Sequence, residues 1–436
     1  MTEFNQKEFA FTSSKGLKIK ARFDGGTVSS DGGMMFVREA DKRLRLTPRA
    51  AKCIDDPRQA GKVNHAVTQL VQQRVYALAC GYEDANDFES LRNDPLWQSL
   101  CDKDGQLAGK STLGRFENRI NGNSAAQINA LFVELFIASF KLAPKQIILD
   151  FDATDNPVHG MQEQRFFHGY YDRYCFLPLY VFCGDQLLCA YLRPSNTDAA
   201  KHAAAILKLL CRRLRKAWPK VQIIFRADSG FCRDRILTWC DRHRIDYCVG
   251  VARNPVLQYE AEVFLNRARD QYERTGEKQR LFGAVIYGAK SWTLKRPIIV
   301  KAEHSEKGAN PRFVVSSLYG DNEHIYDKIY CARGEMENRI KEQMQLFSTR
   351  TSAHRWWANQ WRILLSAMAY VLVQYIRATA LGATELAKAQ CATIRLKLFK
   401  IGALIVRKSR HIRIHLSESY PLQSLFYLVW ERLQAT

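Results

Sequence analysis

Two aspartates, Asp150 and Asp152, stand in the apolar segment Gln146 to Thr154. The segment is predicted to form a short buried strand, and because side chains alternate along a strand, both carboxylates lie on one face. A buried carboxylate without a partner is strongly destabilising or takes up a proton. The pair therefore predicts a cleft, a cation or a metal at this strand. The alternative is a strand end that faces water or caps the next turn.

A second apolar segment, Val221 to Asp228, is also predicted to be a strand that ends in a carboxylate. Between the two segments, a hairpin around Gly184 and a helix over 197–218 are predicted. A further helix and strand follow Asp228. This order of strand, hairpin, helix, strand, helix and strand predicts an α/β block with a mixed sheet and helices on its faces.

A third carboxylate stands in a polar helical pattern further along the chain. At about 100° per residue, Tyr330, Arg333, Glu337 and Lys341 fall on one narrow stripe of a predicted helix. The stripe fits a solvated face with an Arg–Glu pair at i,i+4. It also fits a carboxylate that basic neighbours hold and point into a site. Glu335 lies about 160° away and is predicted to face solvent.

The net charge points to a polyanionic partner. The chain has 65 Lys and Arg against 44 Asp and Glu, which gives +21. Such a balance is typical of proteins that bind nucleic acid, although a merely basic enzyme is the alternative. The 12 cysteines form no Cys-x-x-Cys pair and no zinc-finger arrangement. They are predicted to be reduced, mostly buried thiols of a cytosolic protein.

Neither a membrane nor a nucleotide is predicted as a partner. The N-terminus lacks the pattern of a signal peptide. The longest apolar run, Ile363 to Ile376, is shorter than a bilayer requires and is predicted to be a buried core helix. The segment Gly105 to Ser111 approaches a P-loop, but it has three residues instead of four between its glycines and no strand before it. We therefore predict no nucleotide cofactor.

Two basic regions are candidates for contact with DNA phosphates. In the N-terminal region, a predicted helix from Leu113 to Ile120 carries Arg115 and Arg119. Its short helices suit either a DNA-end-binding domain or a purely structural cap. In the C-terminal region, basic side chains alternate with Leu, Ile and Val; they are Arg395, Lys397, Lys400, Arg407, Lys408, Arg410 and Arg413.

The three carboxylates stand in motifs that resemble those of DDE transposases of bacterial insertion sequences. The motifs are Asp152-Ala153-Thr154, Asp228-Ser229-Gly230-Phe231 and Tyr330-x-x-Arg333-x-x-x-Glu337. Finer matches, which include His168-Gly169-Tyr170-Tyr171, look like the insertion-sequence group numbered thirteen-eighty. The resemblance covers most of the chain. It departs where the family often has a lysine after the Glu, since that position is Met344 here and Lys341 lies one turn closer.

The resemblance implies a ribonuclease-H-like mixed sheet with a β-rich insertion, and a mainly helical N-terminal DNA-binding region. It implies that Asp152, Asp228 and Glu337 hold two Mg²⁺ ions, for which Mn²⁺ can substitute, and catalyse phosphoryl transfer. Asp150 is the alternative first ligand, but the Ala-Thr after Asp152 favours Asp152. The residues predicted to contact DNA are Tyr330, Arg333, Lys341, Arg115, Arg119, Arg407, Lys408 and Arg410.

The implied function is a transposase that cleaves the ends of its element and joins the 3′ ends to target DNA. The implied partners are double-stranded terminal repeats, target DNA and a second copy in a homodimeric synaptic complex, in the bacterial cytoplasm at the nucleoid. The alternatives are a nuclease that cuts without joining and a catalytically silent repressor. The predicted regions are an end-binding region 1–141, a first core part 142–253, a β-rich insertion 254–328, a second core part 329–385 and a basic region 386–436.

Overall fold

The structure is a computed structural model that describes residues 8–435. The strands are β1 Phe9–Ser14, β2 Leu17–Ala21, β3 Val28–Ser29, β4 Gln146–Ala153, β5 Asn156–Pro157, β6 Phe166–His168, β7 Arg173–Phe176, β8 Leu179–Cys183, β9 Gln186–Tyr191, β10 Gln222–Ala227, β11 Asp246–Val251, β12 Gln279–Tyr287, β13 Arg296–Ser305, β14 Gly308–Ala309, β15 Arg312–Ser316, β16 Ala403–Arg407 and β17 Ile412–Leu416.

The helices are α1 Met35–Leu44, α2 Leu46–Ala51, α3 Val67–Cys80, α4 Phe88–Leu91, α5 Pro95–Leu100, α6 Lys110–Glu117, α7 Gly122–Ala138, α8 Ala203–Ala217, α9 Asp234–His243, α10 Pro255–Glu260, α11 Glu262–Thr275, α12 Asn322–His324, α13 Gly334–Gln345, α14 Trp356–Ala380, α15 Cys391–Ile394 and α16 Gln423–Gln434. The chain divides into two compact units. One comprises Met1–Arg119 with Met368–Thr436, and the other comprises Ile120–Ala367.

A mixed sheet of nine strands forms the centre of the unit Ile120–Ala367. Its order is β12-β13-β15-β11-β10-β4-β8-β9, and β14 pairs with β13. β10 lies between β4 and β11 and is parallel to both. The predicted hairpin is confirmed, because β8 and β9 pair as antiparallel neighbours around Gly184. The predicted mixed α/β sheet is therefore present.

Alternation along the strands gives this sheet two different faces. Leu149, Phe225 and Val249 point into a large apolar core that also contains side chains of α7, α8, α9 and α11. The alternate residues of each strand point to the opposite face, where Cys248 of β11 packs with Ile325 and other apolar side chains. Asp150 and Asp152 lie on this second face because they alternate with Leu149 and Phe151 along β4. One face of the sheet is therefore covered by α7, α8, α9 and α11, and the other combines a smaller apolar cluster with the buried carboxyl groups of Asp150 and Asp152.

Residues 254–328, which the sequence pattern predicted to be β-rich, contain the helices α10 and α11 as well as the strands β12 to β15. α10 and α11 occupy most of the first twenty or so residues. α11 is rich in charged side chains, and Ala268 is its only fully buried residue. A helix with so narrow an apolar stripe gives a weak periodic signal. The strands β12, β13 and β15 are not a separate sheet, because β15 pairs directly with β11.

The other unit contains α1–α6 and a small sheet in the order β17-β16-β3. Two basic residues of its C-terminal segment, Arg395 and Lys400, make contacts inside this unit. The guanidinium of Arg395 donates to the carbonyl oxygens of Leu78 and Ala79 at the end of α3. Lys400 Nζ lies 2.8 Å from Oδ1 of the buried Asp31. Predicting all seven basic residues of this segment as one phosphate-contacting surface is therefore wrong for these two.

The helix α14 is long and apolar enough to cross a membrane by length and composition, at 25 residues and a mean hydropathy of 1.4. It is longer than the run considered in the sequence. In the structure, 78% of its most apolar window is buried inside the protein, as the prediction of a core helix requires. Trp361 is fully buried, and Trp356 is nearly so.

The cysteines are mostly buried, as predicted. All twelve are free thiols, and Cys331 alone among them is exposed. Burial raises the pKa of Cys211 to about 12, and the same cause raises the pKa of Cys189 to about 12. Thiols in this state are poor nucleophiles and poor metal ligands.

Candidate active site

Two of the predicted carboxylates lie at the carboxyl ends of neighbouring parallel strands. Asp152 stands near the end of β4, and Asp228 follows the last residue of β10. Asp152 Oδ1 accepts from the backbone N–H of Ala153 at 2.9 Å. Asp228 Oδ1 accepts from the N–H of Gly230 at 2.9 Å and so caps a short turn. Because parallel strands end at the same edge of a sheet, the strand order brings these two carboxylates together.

The third carboxylate comes from a segment whose helical geometry changes twice. Ile325–Tyr330 is π-helical, Cys331–Arg333 is 3₁₀-helical, and α13 then carries Glu337. The prediction of one regular helix from Tyr330 to Lys341 is therefore wrong in detail. π-helical turns are rare and are frequent at functional sites. They also break the even spacing on which the stripe argument depended.

Arg333 joins the segment to the sheet. Its Nη1 lies 3.1 Å from Asp152 Oδ2, and its Nη2 lies 3.2 Å from Glu337 Oε1. The arginine therefore bridges the first and the third predicted carboxylates, which are 185 positions apart in the chain. The Arg–Glu pair at i,i+4 is therefore present, as the first interpretation of the polar stripe predicted. Whether the stripe also points into a reactive site stays a prediction.

The electrostatics of Asp152 reflect this crowding. Burial is the main cause that raises the pKa of Asp152 to about 6; Arg333 lowers the pKa, whereas the nearby charges of Asp228 and Glu337 raise it. Asp152 is 8% exposed. A carboxylate whose like-charged neighbours raise its pKa is typical of a site that lacks enough positive charge. Three carboxylates share one arginine here.

Asp150 has a different partner and a different role. Arg226 faces it on β10 and contacts both of its carboxylate oxygens; Nη2 lies 2.7 Å from Oδ2. Both side chains are buried, at 2% and 6% exposure. A carboxylate that is saturated by a bidentate arginine in the interior has little capacity left for a metal. The geometry therefore favours Asp152 over Asp150 as the candidate first ligand.

The oxygen donors are suitable for a hard divalent cation, but they are not closed around one. Among residues 8–435, no three His, Cys, Asp or Glu side chains are grouped closely enough to hold a metal ion. The guanidinium of Arg333 contacts both Asp152 and Glu337. The donor chemistry therefore fits Mg²⁺ or Mn²⁺, while the arrangement is that of an arginine-paired site.

The other predicted DNA-contacting residues differ in exposure and in whether a carboxylate of the protein already pairs with them. Lys341 is exposed on α13, one turn beyond Glu337. In the other unit, Arg115 is exposed, but Arg119 Nη1 lies 3.0 Å from Asp56 Oδ1. Arg407 pairs with Asp104. Lys408 and Arg410 are exposed at the tip of the hairpin formed by β16 and β17.

Two features of the site were missed in the sequence. The first is Arg226, which the sequence could have indicated, because an arginine two residues before Asp228 interrupts a mostly apolar strand. The second feature is the exposure of Tyr170, at 86%; its motif, His168-Gly169-Tyr170-Tyr171, was noted in the sequence only as a family match. Burial, with the charges of Asp155 and Asp152, raises the pKa of Tyr171 to about 12, and the ring centroid of Tyr171 lies 5.1 Å from that of Tyr170.

Comparison with known proteins gives one family. A family model described as transposase DDE domain group 1 matches residues 11–436. No curated protein matches the chain. Among solved structures, a chain of the cryo-EM structure of the piggyBac transposase synaptic complex with hairpin DNA is similar at 11% identity and a TM-score of 0.42, over 85% of this chain and 80% of that chain. At these values the structural similarity alone establishes neither fold nor activity.

Proposed function

The chain belongs to the transposase DDE domain group 1 family, and we propose that it binds the ends of its insertion sequence, cleaves them and joins the 3′ ends to target DNA. The family consists of metal-dependent enzymes that cleave and transfer DNA. The more specific proposal is a two-metal-ion phosphoryl transfer on a ribonuclease-H-like core. Within the family, the motifs around His168 and Asp228 favour the insertion-sequence group numbered thirteen-eighty.

One observation carries the proposal: residues far apart in the sequence meet at one edge of the sheet. Arg333 contacts both Asp152 and Glu337, and the charge of Asp228 acts on Asp152. A purely structural ion pair needs one carboxylate for one arginine. Three carboxylates around one arginine leave an excess of negative charge, which a divalent cation would neutralise.

Asp152, Asp228 and Glu337 would hold the cations, with Mg²⁺ as the proposed ion and Mn²⁺ as a substitute. When bound, such cations activate an attacking water or 3′-hydroxyl and stabilise the leaving oxygen. The chain's own residues do the rest. Arg333 orients Glu337 through its 3.2 Å contact and provides two donors for a phosphate oxygen once it turns away from the carboxylates. Tyr330 packs its ring against Gly250 of β11.

DNA contact is proposed for exposed groups near the site and in the other unit. Lys341 and Arg333 would contact the scissile strand, and the exposed ring of Tyr170 offers a stacking surface for a base. In the other unit, Arg115, Lys408 and Arg410 are free to contact phosphates. Arg119 and Arg407 would first have to leave Asp56 and Asp104.

The rest of the proposed assignment follows the sequence prediction. Region 1–141 would bind the DNA ends, 142–253 and 329–385 would form the catalytic core around 254–328, and 386–436 would contact phosphates. The enzyme would act as a homodimer that holds both ends, in the bacterial cytoplasm at the nucleoid. It would need no nucleotide cofactor and no membrane.

Strand transfer in vitro tests the proposal. Purified protein, Mg²⁺, labelled DNA with the element's ends and a plasmid target are incubated with wild type and with Glu337→Gln. We expect joined products from the wild type and none from the variant, while both bind the labelled DNA equally well in a gel-shift assay. Glu335→Gln is the matched control, because Glu335 is exposed on the same helix; it should retain activity.

Two other results would replace the proposal. Cleavage without joined products would identify a nuclease. Tight DNA binding without any metal-dependent product, under conditions in which a related transposase joins DNA, would identify a silent repressor.

A further inference from the structure

A buried arginine connects three backbone segments behind the candidate site. Arg226 and Asp150 are register partners on β10 and β4, and both are buried in the sheet face that carries the carboxylates. Nε and Nη2 of Arg226 contact the two oxygens of Asp150. Nη1 remains, and it donates to the backbone carbonyl oxygen of Ile329. The guanidinium is thus shared between a strand pair and the helical segment.

Ile329 lies at a special place in that segment. It belongs to the π-helical turn Ile325–Tyr330, in which backbone carbonyls are displaced from regular α-helical partners. The next residue, Tyr330, packs its ring against Gly250 of β11. A Cβ at that glycine would lie 2.5 Å from Tyr330 Oη, so only glycine allows this approach. Two adjacent residues therefore fix the segment to the sheet, one by a hydrogen bond and one by packing.

The spacing along the chain relates these contacts to the carboxylates. Asp150 stands two residues before Asp152, and Arg226 stands two residues before Asp228. Ile329 stands eight residues before Glu337. The strand of Arg226 and the two segments that it contacts therefore each continue to one candidate ligand within a few residues. Any shift of the segment against the strands changes the distance from Glu337 to both aspartates.

Stability alone does not require an ion pair at this position. Well-packed apolar residues of similar volume often replace a buried ion pair without loss, because the desolvation of two charges is costly. What apolar residues cannot supply is a directional donor to the Ile329 carbonyl. We propose that Arg226 is a positioning residue that, held by Asp150, sets the place of the Glu337 segment relative to Asp152 and Asp228. This inference rests on the proposed function of the three carboxylates.

The test uses a variant that removes the donor but keeps the packing. In the full-length protein, Asp150→Leu with Arg226→Met replaces the charged pair by apolar side chains of similar size. We expect a melting temperature close to that of the wild type. We also expect faster amide hydrogen exchange across residues 325–337 in the metal-free protein. Mn²⁺ affinity, measured by calorimetry, should fall about 10- to 100-fold, the usual loss when a residue that orients ligands is removed.

Arg226→Lys is the conservative companion variant. A lysine keeps the charge next to Asp150, but it has no planar fork to reach both Asp150 and the Ile329 carbonyl. It should show the same change in exchange and Mn²⁺ affinity in weaker form. The matched control is Arg296→Met, because Arg296 is a buried arginine of the same sheet that is paired with Asp234 and Asp241. It should lower stability without faster exchange at 325–337.

The outcomes separate this inference from the proposed function. Unchanged exchange at residues 325–337 in the double variant would overturn the inference, whatever the enzyme does. Unchanged Mn²⁺ affinity in a double variant of a wild type that binds Mn²⁺ would also overturn it. A wild type that binds no Mn²⁺ and makes no product would instead overturn the proposed function, and the exchange result would still decide whether Arg226 positions the segment.

Discussion

Asp150 and Asp152 lie on the same strand and the same face, two residues apart, yet their surroundings differ. Asp150 is buried with one arginine that contacts both of its oxygens. Asp152 stands nearer the strand end, shares Arg333 with Glu337 and has Asp228 as a neighbour. One carboxylate has a complete partner and the other does not. The contrast teaches that two carboxylates on one face of a strand can differ in charge balance, and that charge balance is what makes Asp152 the better candidate for a cation ligand.

Removal of the carboxylate at Asp152 should give the largest effect. Asp152→Asn is expected to lower the cleavage rate by about 10³-fold or more, because a metal ligand contributes several kcal/mol of transition-state stabilisation. Its global stability should not fall, since an ionised Asp152 is unfavourable in the folded state. Single-turnover cleavage and chemical denaturation measure the two quantities. A variant that still cleaves at the wild-type rate would show that Asp152 is not a ligand.

For folding stability the order of effects should be reversed: removal of Arg226, the partner of Asp150, should cost more folding free energy than removal of Arg333, the partner of Asp152. Arg226→Met alone leaves the Asp150 charge buried without a partner, which should cost about 3–5 kcal/mol of folding free energy. Arg333→Met should cost less than Arg226→Met, because Glu337 is half-exposed and the raised pKa of Asp152 lets that carboxyl take up a proton when the arginine is absent. Urea denaturation of both variants measures the difference. Equal losses would remove the distinction between a structural and a reactive arginine.

The pH dependence of stability should sharpen the contrast further. The folded-state pKa of Asp152 is raised to about 6 from 3.8, so the folded protein binds the extra proton between these values. Its contribution to stability is full below pH about 4 and is lost as the pH rises through about 6. As the pH rises from about 4 to above about 6, the free energy of unfolding of the wild type should therefore fall by at most about 3 kcal/mol relative to that of Asp152→Asn. Denaturation of the metal-free proteins at several pH values measures this; a constant difference would contradict it.

The same contrast between paired and free basic groups should appear, more weakly, in the other unit. Arg410→Ala should reduce the slope of log K against log salt for DNA binding by about 1, as expected for one phosphate contact. Arg119→Ala should reduce it less, since Arg119 is paired with Asp56. Fluorescence anisotropy across a salt series gives both slopes. A larger effect at Arg119 would mean that its ion pair opens on DNA.

Local pattern was sufficient for much of the fold. The strand at Gln146, the hairpin around Gly184 and the strand before Asp228 follow from apolar alternation and turn residues, and the structure has them. The helix α11 was missed because its apolar stripe is narrow. The predicted grouping of Arg395 and Lys400 with the other basic residues failed because a charged residue gives no local sign that it caps a helix end or pairs with a buried aspartate.

The sequence by itself determined which residues are the candidates: three carboxylates at strand ends or on a polar helical stripe, and a basic chain that suits a polyanion. Residue type and period are local, and they are readable without a fold. Only the tertiary structure showed that Asp150 has an arginine on both of its oxygens, whereas Asp152 shares its arginine with Glu337. That difference depends on Arg226 and Arg333, which lie 76 and 181 positions away from the aspartates that they pair with. Charge balance is a property of neighbours in space, and the sheet order sets those neighbours.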